Sequence, residues 1–198
     1  MRITGGTARG IPLELPKRGE IRPATDYIRE AVFSSLGDLP QDARVLDVFA
    51  GTGAYALEAL SRGARFAALV DKNAAATAAQ KKNFAALKKS LEAAGKGVPA
   101  VEFFSLDLQK DAPFPPTFPR ADLIFCDPPW ALWGDVRMAR FVETLAALAD
   151  AETPWARVVL ETPSGVEPPI PSGWELARRI GKKGKDQPAA SVLRRRAG

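Results

Sequence analysis

From residue 44 onward the apolar positions alternate between two kinds of segment. "RVLDVF" (44–49) is an apolar run of strand length, and "GAYALEALSRG" (53–63) places Leu57 and Leu60 at helical spacing before a stop at Gly63. "RFAALVD" (65–71) has the length and composition of a second strand. Asn73 then caps a long helix, "AAATAAQKKNFAALKKSLEAAG", built from good helix formers and closed by Gly95. A third strand is expected at "AVEFFSLD" (100–107), a fourth at "ADLIFCD" (121–127) and a fifth at "RVVLET" (157–162), with a helix around 135–150. Two extended segments near 174–180 and 190–195 have the pattern of an antiparallel hairpin at the sheet edge. Strands alternating with helices of this length predict an α/β fold: a mostly parallel sheet covered on both faces.

Before residue 44 the pattern differs. "RITGGTARGIPLEL" (2–15) has two short extended pieces joined through Gly5, Gly6 and Gly10, the mark of a β-hairpin or a flexible arm. "TDYIREAVFSSLG" (25–37) reads as a helix with Ile28, Ala31, Val32, Ser35 and Leu36 on one face. The chain therefore divides into residues 1–38, an arm with a helix, and 39–198, the α/β domain.

Composition narrows the chemistry. A chain of 198 residues, 46% hydrophobic, can bury one real core. It contains no run of eighteen apolar residues and no apolar N-terminal signal region, which leads to the expectation of a soluble, cytoplasmic protein. One cysteine excludes an internal disulfide, and a chain without histidine lacks the commonest transition-metal ligand and the usual general base, so no metal is expected. Cys126 ends an apolar strand and reads as a small buried filler. The net charge of +5 is uneven, because residues 176–198 hold eight Lys/Arg against one acid. Such a patch suits a polyanion; the bland reading is a solvated, frayed "RRRAG" tail.

"VLDVFAGTGAYALEALSRGA" (45–64) puts a glycine-rich turn between a strand and a helix. Gly51 and Gly53 permit close approach of a ligand, and the helix that follows presents free N–H groups to it. Asp71 ends the second strand about twenty residues on, where a carboxylate accepts hydrogen bonds from ribose hydroxyls. Asp107 ends the third strand at the position of an adenine edge. Asp47 sits inside an apolar strand, where a charge implies a ligand amine or a cap on nearby N–H groups. Asp47, Asp71, Asp107 and Asp127 thus line the carboxyl edge of one sheet, where open α/β folds bind ligands. Acids suit a cationic ligand, and S-adenosylmethionine offers a sulfonium, an α-amine, a ribose and an adenine.

"CDPPW" (126–130) ends the fourth strand with two residues that cannot donate ladder hydrogen bonds. The Asp127 carboxylate and the Pro128 carbonyl can both accept from one exocyclic NH₂ group and orient its lone pair. Pro128 and Pro129 stiffen the corner, and Trp130 offers a face on which a base can stack. This is the equipment for methyl transfer to an amine of a planar base.

These blocks resemble the RsmD family, bacterial small-subunit ribosomal RNA guanine-N2 methyltransferases of class I. The resemblance runs through "RITGGTARGIPLEL", "RPATDYIREAVFSSL" (22–36), "LDVFAGTGAYALEALSRGA", "VDKN" (70–73) and "CDPPW", in the family's order and spacing. It implies a Rossmann-like domain with a seven-stranded sheet and transfer from S-adenosylmethionine to N2 of a guanine in 16S ribosomal RNA, of the type found at position 966. It implies that Asp47, Phe49, Ala50, Gly51, Thr52 and Gly53 surround the methionine part of the cofactor. Asp71 and Lys72 would meet the ribose, Asp107 and Leu108 the adenine, and Asp127 to Trp130 the target amine. Arg2, Arg9, Arg22 and Arg29 would hold RNA, within the small subunit or an assembly intermediate, although Arg29, on a helix between apolar positions, equally suits a salt-bridged structural residue; the enzyme would act as a monomer. The family usually has tyrosine at Trp130, glycine at Ala56 and glutamate at Asp71, and each exchange keeps the chemistry of the position.

Three other readings use some of the same residues. An adenine-N6 methyltransferase acting on DNA or RNA would grip its target amine with the same acid-proline-proline-aromatic corner. A nicotinamide-dependent dehydrogenase would use the glycine turn and Asp71 but leaves "DPPW" unexplained. A non-catalytic RNA-binding module would keep the fold alone.

Overall fold

Seven strands form one sheet in the computed structural model, which describes residues 1–15, 25–110, 114–181, 184 and 187–197. They are β1 (Arg44–Val48), β2 (Phe66–Val70), β3 (Ala100–Phe104), β4 (Leu123–Cys126), β5 (Arg157–Pro163), β6 (Trp174–Gly181) and β7 (Pro188–Arg195). Their order across the sheet is β3-β2-β1-β4-β5-β7-β6. The first five are parallel, and β7 runs antiparallel between β5 and β6, the expected edge hairpin. Strand order reverses direction at β1 and β4, which opens a crevice at their carboxyl ends.

Four helices, α1 (Thr25–Leu36), α2 (Ala54–Ser61), α3 (Ala74–Ala93) and α4 (Met138–Leu148), cover the sheet. Alternating strand residues divide the core into two clusters. Val45, Leu69, Phe125 and Val159 pack with Val32 and Phe33 of α1 and Leu57 and Leu60 of α2. Leu46, Val48, Ile124 and Leu160 pack on the other face with Val142 and Leu145 of α4. Asn73 caps α3 as its sequence predicts, accepting from the Ala75 N–H at 2.9 Å. Cys126 is buried on the α4 face, and burial with Asp127 and Asp47 nearby pushes its thiol pKa up. No helix among the described residues is long and apolar enough to cross a membrane.

The arm is a short antiparallel hairpin around the bridge from Arg2 to Pro12, with the Ile3 N–H donating to the Ile11 carbonyl at 2.9 Å and the Leu13 N–H to the Met1 carbonyl at 3.1 Å, and it docks on α2. The Thr7 N–H donates to the Ser61 carbonyl at 2.8 Å and the Ala8 N–H to Ser61 Oγ at 2.9 Å. Gly6 adopts φ +74°, and a Cβ there would lie 2.0 Å from the Ser61 carbonyl oxygen, so only glycine allows this approach. Ile3, Ala8 and Leu13 join the same cluster as β1.

A buried carboxylate holds this corner together. Glu58 of α2 accepts from the Thr4 N–H (2.7 Å) and hydroxyl (2.9 Å) and from Arg62 Nε (3.0 Å), and lies 3.5 Å from Arg29 Nε. Arg29 also donates to Asp26 (2.8 Å) and to the Arg2 carbonyl. Its exposure is 1%, so of the two expectations for it the structure matches the salt-bridged residue and not the RNA-facing one: its guanidinium is turned inward to pair with Glu58 and Asp26. Arg2 and Arg9 are exposed, and Arg22 lies outside the described residues.

Among the described residues of the basic C-terminal stretch, four arginines are engaged by neighbouring groups. Arg194 pairs with Glu175 at 2.7 Å, Arg195 donates to the carbonyls of Ala149 and Asp150, and Arg196 Nε donates to the Trp174 carbonyl. Arg179 donates to Ser191 and Thr162 hydroxyls and to the Val166 carbonyl.

Replacing Glu58→Ala should therefore cost about 3 kcal/mol, because it strips counter-charge from a buried guanidinium and releases the arm. Urea denaturation measures this, and a loss below about 1 kcal/mol would show that the arm and α1 are held by apolar contacts alone.

Candidate active site

Alternation along the strands decides what faces the crevice. Asp47 follows Val45 by two, Asp71 follows Leu69, Asp127 follows Phe125 and Glu161 follows Val159, all on the α1/α2 face. These four carboxylates line one cavity of about 470 Å³ at the carboxyl edge of the sheet. Its wall also contains Phe49, Ala50, Gly51, Thr52, Tyr55, Lys72, Leu108, Pro129 and Leu132. Gly53, Asp107, Pro128 and Trp130 are not among its described wall residues.

The glycine turn is braced from below. Phe49 and Gly51 have φ of +56° and +51°, and the bulky Phe49 is held in that strained conformation by edge packing on Phe141, 5.7 Å between centroids. Asp71 accepts from the Gly51 N–H at 2.9 Å through one oxygen and from the Asn73 N–H at 2.8 Å through the other. Gln80 donates to the Gly51 carbonyl (3.1 Å) and Asn83 to the Thr52 carbonyl (3.0 Å). Asn83 also holds both backbone groups of Glu14, tying the arm to the turn. Gly53 precedes α2 at φ +79°, where a Cβ would lie 2.6 Å from Leu69. It shapes the turn without entering the cavity wall.

Asp47 is 2% exposed and accepts from the Ala56 N–H at 3.0 Å, so it caps the first turn of α2. Burial, with Asp127 and Asp71 nearby, raises its pKa well above 3.8. Asp107 is not itself a wall residue but pairs with two that are: it lies 3.6 Å from Lys72 and accepts from the Gln109 N–H at 3.2 Å. Its neighbours Leu106, Leu108 and Gln109 supply the wall instead.

The two prolines end β4, and Pro129 leads into a 3₁₀ turn over Trp130–Gly134. Residues three apart share one side of such a turn, so Pro129 and Leu132 both face the cavity while Trp130 does not. Trp130 is half-buried outside the wall. Trp133, in the same turn, donates its indole N–H to the Glu161 carbonyl at 3.0 Å.

Sequence reasoning did not find Glu161, Tyr55, Gln80 or Asn83. Glu161 carried the signal already used for Asp47, an acid within an apolar strand, and the two amides break the buried face of α3. It also did not find a smaller recess of about 90 Å³ that shares Phe49, Leu108, Gln109 and Leu132 with the main cavity and adds Lys110, Arg137 and Arg140.

Comparison with known proteins fits this geometry. The model of the family described as conserved hypothetical protein 95 matches residues 1–187. Ribosomal RNA small subunit methyltransferase D of Escherichia coli (strain K12) is 35% identical over 182 residues, covering 90% of this chain and 83% of that one. The chain belongs to the RsmD family. Within that family, the Haemophilus influenzae methyltransferase D is 29% identical over 178 residues, covering 90% of this chain and 86% of its own. The solved structure of Escherichia coli yhhF superposes with a TM-score of 0.68 at 30% identity, over 100% of this chain and 99% of that one. The fold is the class I methyltransferase fold.

In the folded chain Asp47 keeps its proton to higher pH than in the unfolded chain, so its contribution favours folding below the ordinary carboxylate value of 3.8 and is lost as pH rises through the raised one. Asp47→Asn retains an oxygen for the Ala56 N–H without the charge. The variant should melt higher than the parent at neutral pH, by an amount that shrinks toward pH 4; an unchanged difference across that range would contradict the raised proton affinity.

Proposed function

We propose that this chain transfers a methyl group from S-adenosylmethionine to the N2 amine of a guanine in 16S ribosomal RNA, of the type at position 966. The observation that carries the reading is the single cavity in which the glycine turn with Asp47 and Asp71 adjoins Asp127 and Pro129, in a chain of the RsmD family.

The donor set fits the cofactor. A cavity of about 470 Å³ lies within the range of sites for such molecules. Asp47 and Asp71 supply the negative potential that a sulfonium and an α-amine require, and Phe49, Leu106 and Leu108 supply apolar walls. When bound, S-adenosylmethionine provides an electrophilic methyl group on a sulfonium. Ala50, Gly51 and Thr52 would hold its methionine part, Asp71 and Lys72 its ribose, and Leu106 and Leu108 its adenine.

The chain's own work is to hold the nucleophile. The Asp127 carboxylate and the Pro128 carbonyl accept the two N–H groups of the guanine amine, which turns the nitrogen lone pair toward the cofactor side of the cavity. Pro129 and Leu132 bound the base against an apolar surface. The base must leave its stack to reach this depth. Once methylated, the amine loses a proton readily, and Asp127 is the acceptor beside it. Catalysis on this account is proximity and orientation. The exposed Arg2 and Arg9, with Lys110 and Arg140 around the neighbouring recess, give the RNA backbone cationic partners, while Arg137 of that recess is paired with Asp135. The substrate is then the small ribosomal subunit or an assembly intermediate, met by a monomer in the cytoplasm.

Replacing Asp127→Ala should lower single-turnover methyl transfer to small ribosomal subunits by roughly 10²–10³-fold, the range for loss of one preorganised polar contact. Adenosylmethionine affinity by calorimetry should change little. An unaltered transfer rate would remove Asp127 from the chemistry. Loss of cofactor binding alone would reassign it to the cofactor.

A further inference from the structure

Glu161 has no part in the mechanism above, yet it is one of the most costly residues in the molecule. It is 2% exposed, and a buried carboxylate loses several kcal/mol of hydration that its partners must replace. Its placement is tightly controlled. The Tyr55 hydroxyl donates to Glu161 Oε2 at 2.8 Å, and the Trp133 indole holds its backbone carbonyl. Tyr55 is itself fixed by stacking on Phe125, with centroids 4.8 Å apart and an interplanar angle of 18°. Burial and the charges of Glu161 and Asp127 push the Tyr55 pKa up, so its hydroxyl stays a donor across the working range.

Register brings this carboxylate to the target corner. β4 and β5 pair in parallel with Phe125 opposite Val159 and Cys126 opposite Leu160, so Asp127 and Glu161 are the next neighbours on adjoining strands. Adjacent strands lie about 4.8 Å apart, a spacing from which two carboxylates can converge on neighbouring atoms of one base edge. Both line the cavity.

Guanine presents two neighbouring donors on that edge, the N1–H and the N2 amine. Adenine presents an amine beside an unprotonated N1, which is an acceptor. We propose that Glu161 is the residue that makes the pocket specific for guanine, its carboxylate accepting the N1–H while Asp127 and Pro128 take the N2 amine. This assignment rests on the guanine-N2 reading given above. A carboxylate held at that point meets the N1 lone pair of adenine with repulsion, and turning away would break its bond from the Tyr55 hydroxyl, while Trp133 anchors the backbone beneath it.

The test uses small subunits reconstituted from ligated RNA that carries either guanine or 2,6-diaminopurine at the target position. The analogue keeps the N2 amine but has no N1–H. The full chain should prefer guanine by about a hundredfold or more in single-turnover transfer, as expected of a site built to hydrogen-bond a group that the analogue lacks. Glu161→Gln can donate its amide to the bare N1, so it should slow transfer to guanine, speed transfer to the analogue and shift their ratio by roughly a hundredfold. An equal effect on both substrates, or none, would leave Glu161 a structural partner of Tyr55 and overturn the assignment. Should the variant not fold, as judged by melting and adenosylmethionine binding, the parent still decides: equal rates on guanine and the analogue would overturn it. Failure of the underlying reading looks different, because the parent would then form no N2-methylated product from either RNA.

Discussion

Four carboxylates on one face of one sheet edge set the central constraint on this molecule. Asp47, Asp71, Asp127 and Glu161 reach the cavity because strand side chains alternate and because parallel strands bring their carboxyl ends together. The surroundings answer their mutual repulsion piece by piece. The N–H groups of Ala56, Gly51 and Asn73, the Tyr55 hydroxyl and the nearby Arg29 guanidinium all point positive charge at them. Asp47 remains under strain, as its raised proton affinity records. A cationic ligand would relieve that strain, so the same arrangement that weakens the empty fold suits the cationic cofactor proposed above.

The arm and α1 make the site possible from the opposite direction. Glu58 joins Thr4, Arg29 and Arg62, while Asn83 joins Glu14 to the glycine turn, so Met1 and Leu15 can enter the cavity wall. These bonds span more than fifty residues of sequence between arm and body. The segment expected to serve RNA thus also completes the cavity wall, and Arg29 illustrates the division of labour: buried, it stabilises carboxylates, while Arg2 and Arg9 remain exposed.

Local signals carried most of the architecture. Apolar runs located the strands, Asn73 and the glycines marked helix boundaries, and the alternation of elements implied the parallel sheet with its edge hairpin. The glycine turn and the acid-proline-proline corner were legible because each occurs at a strand end, where the fold determines what faces the crevice. What escaped depended on contacts between distant segments. Glu58 looks like a solvent-facing acid on a short helix until the arm covers it. The basic "RRR" looks like a tail until β7 takes in Arg194 and Arg195 and pairs them with β6. Sequence could not specify the 3₁₀ turn that adds Leu132 to the cavity wall and leaves Trp130, the expected stacking surface, half-buried outside that wall.

The most direct measurement is transfer of labelled methyl from adenosylmethionine to small ribosomal subunits purified from a strain lacking the modification, followed by digestion and mass spectrometry of the nucleosides. The account predicts N2-methylguanosine at one position. N6-methyladenosine, or no labelled nucleoside from an enzyme that binds the cofactor, would contradict it.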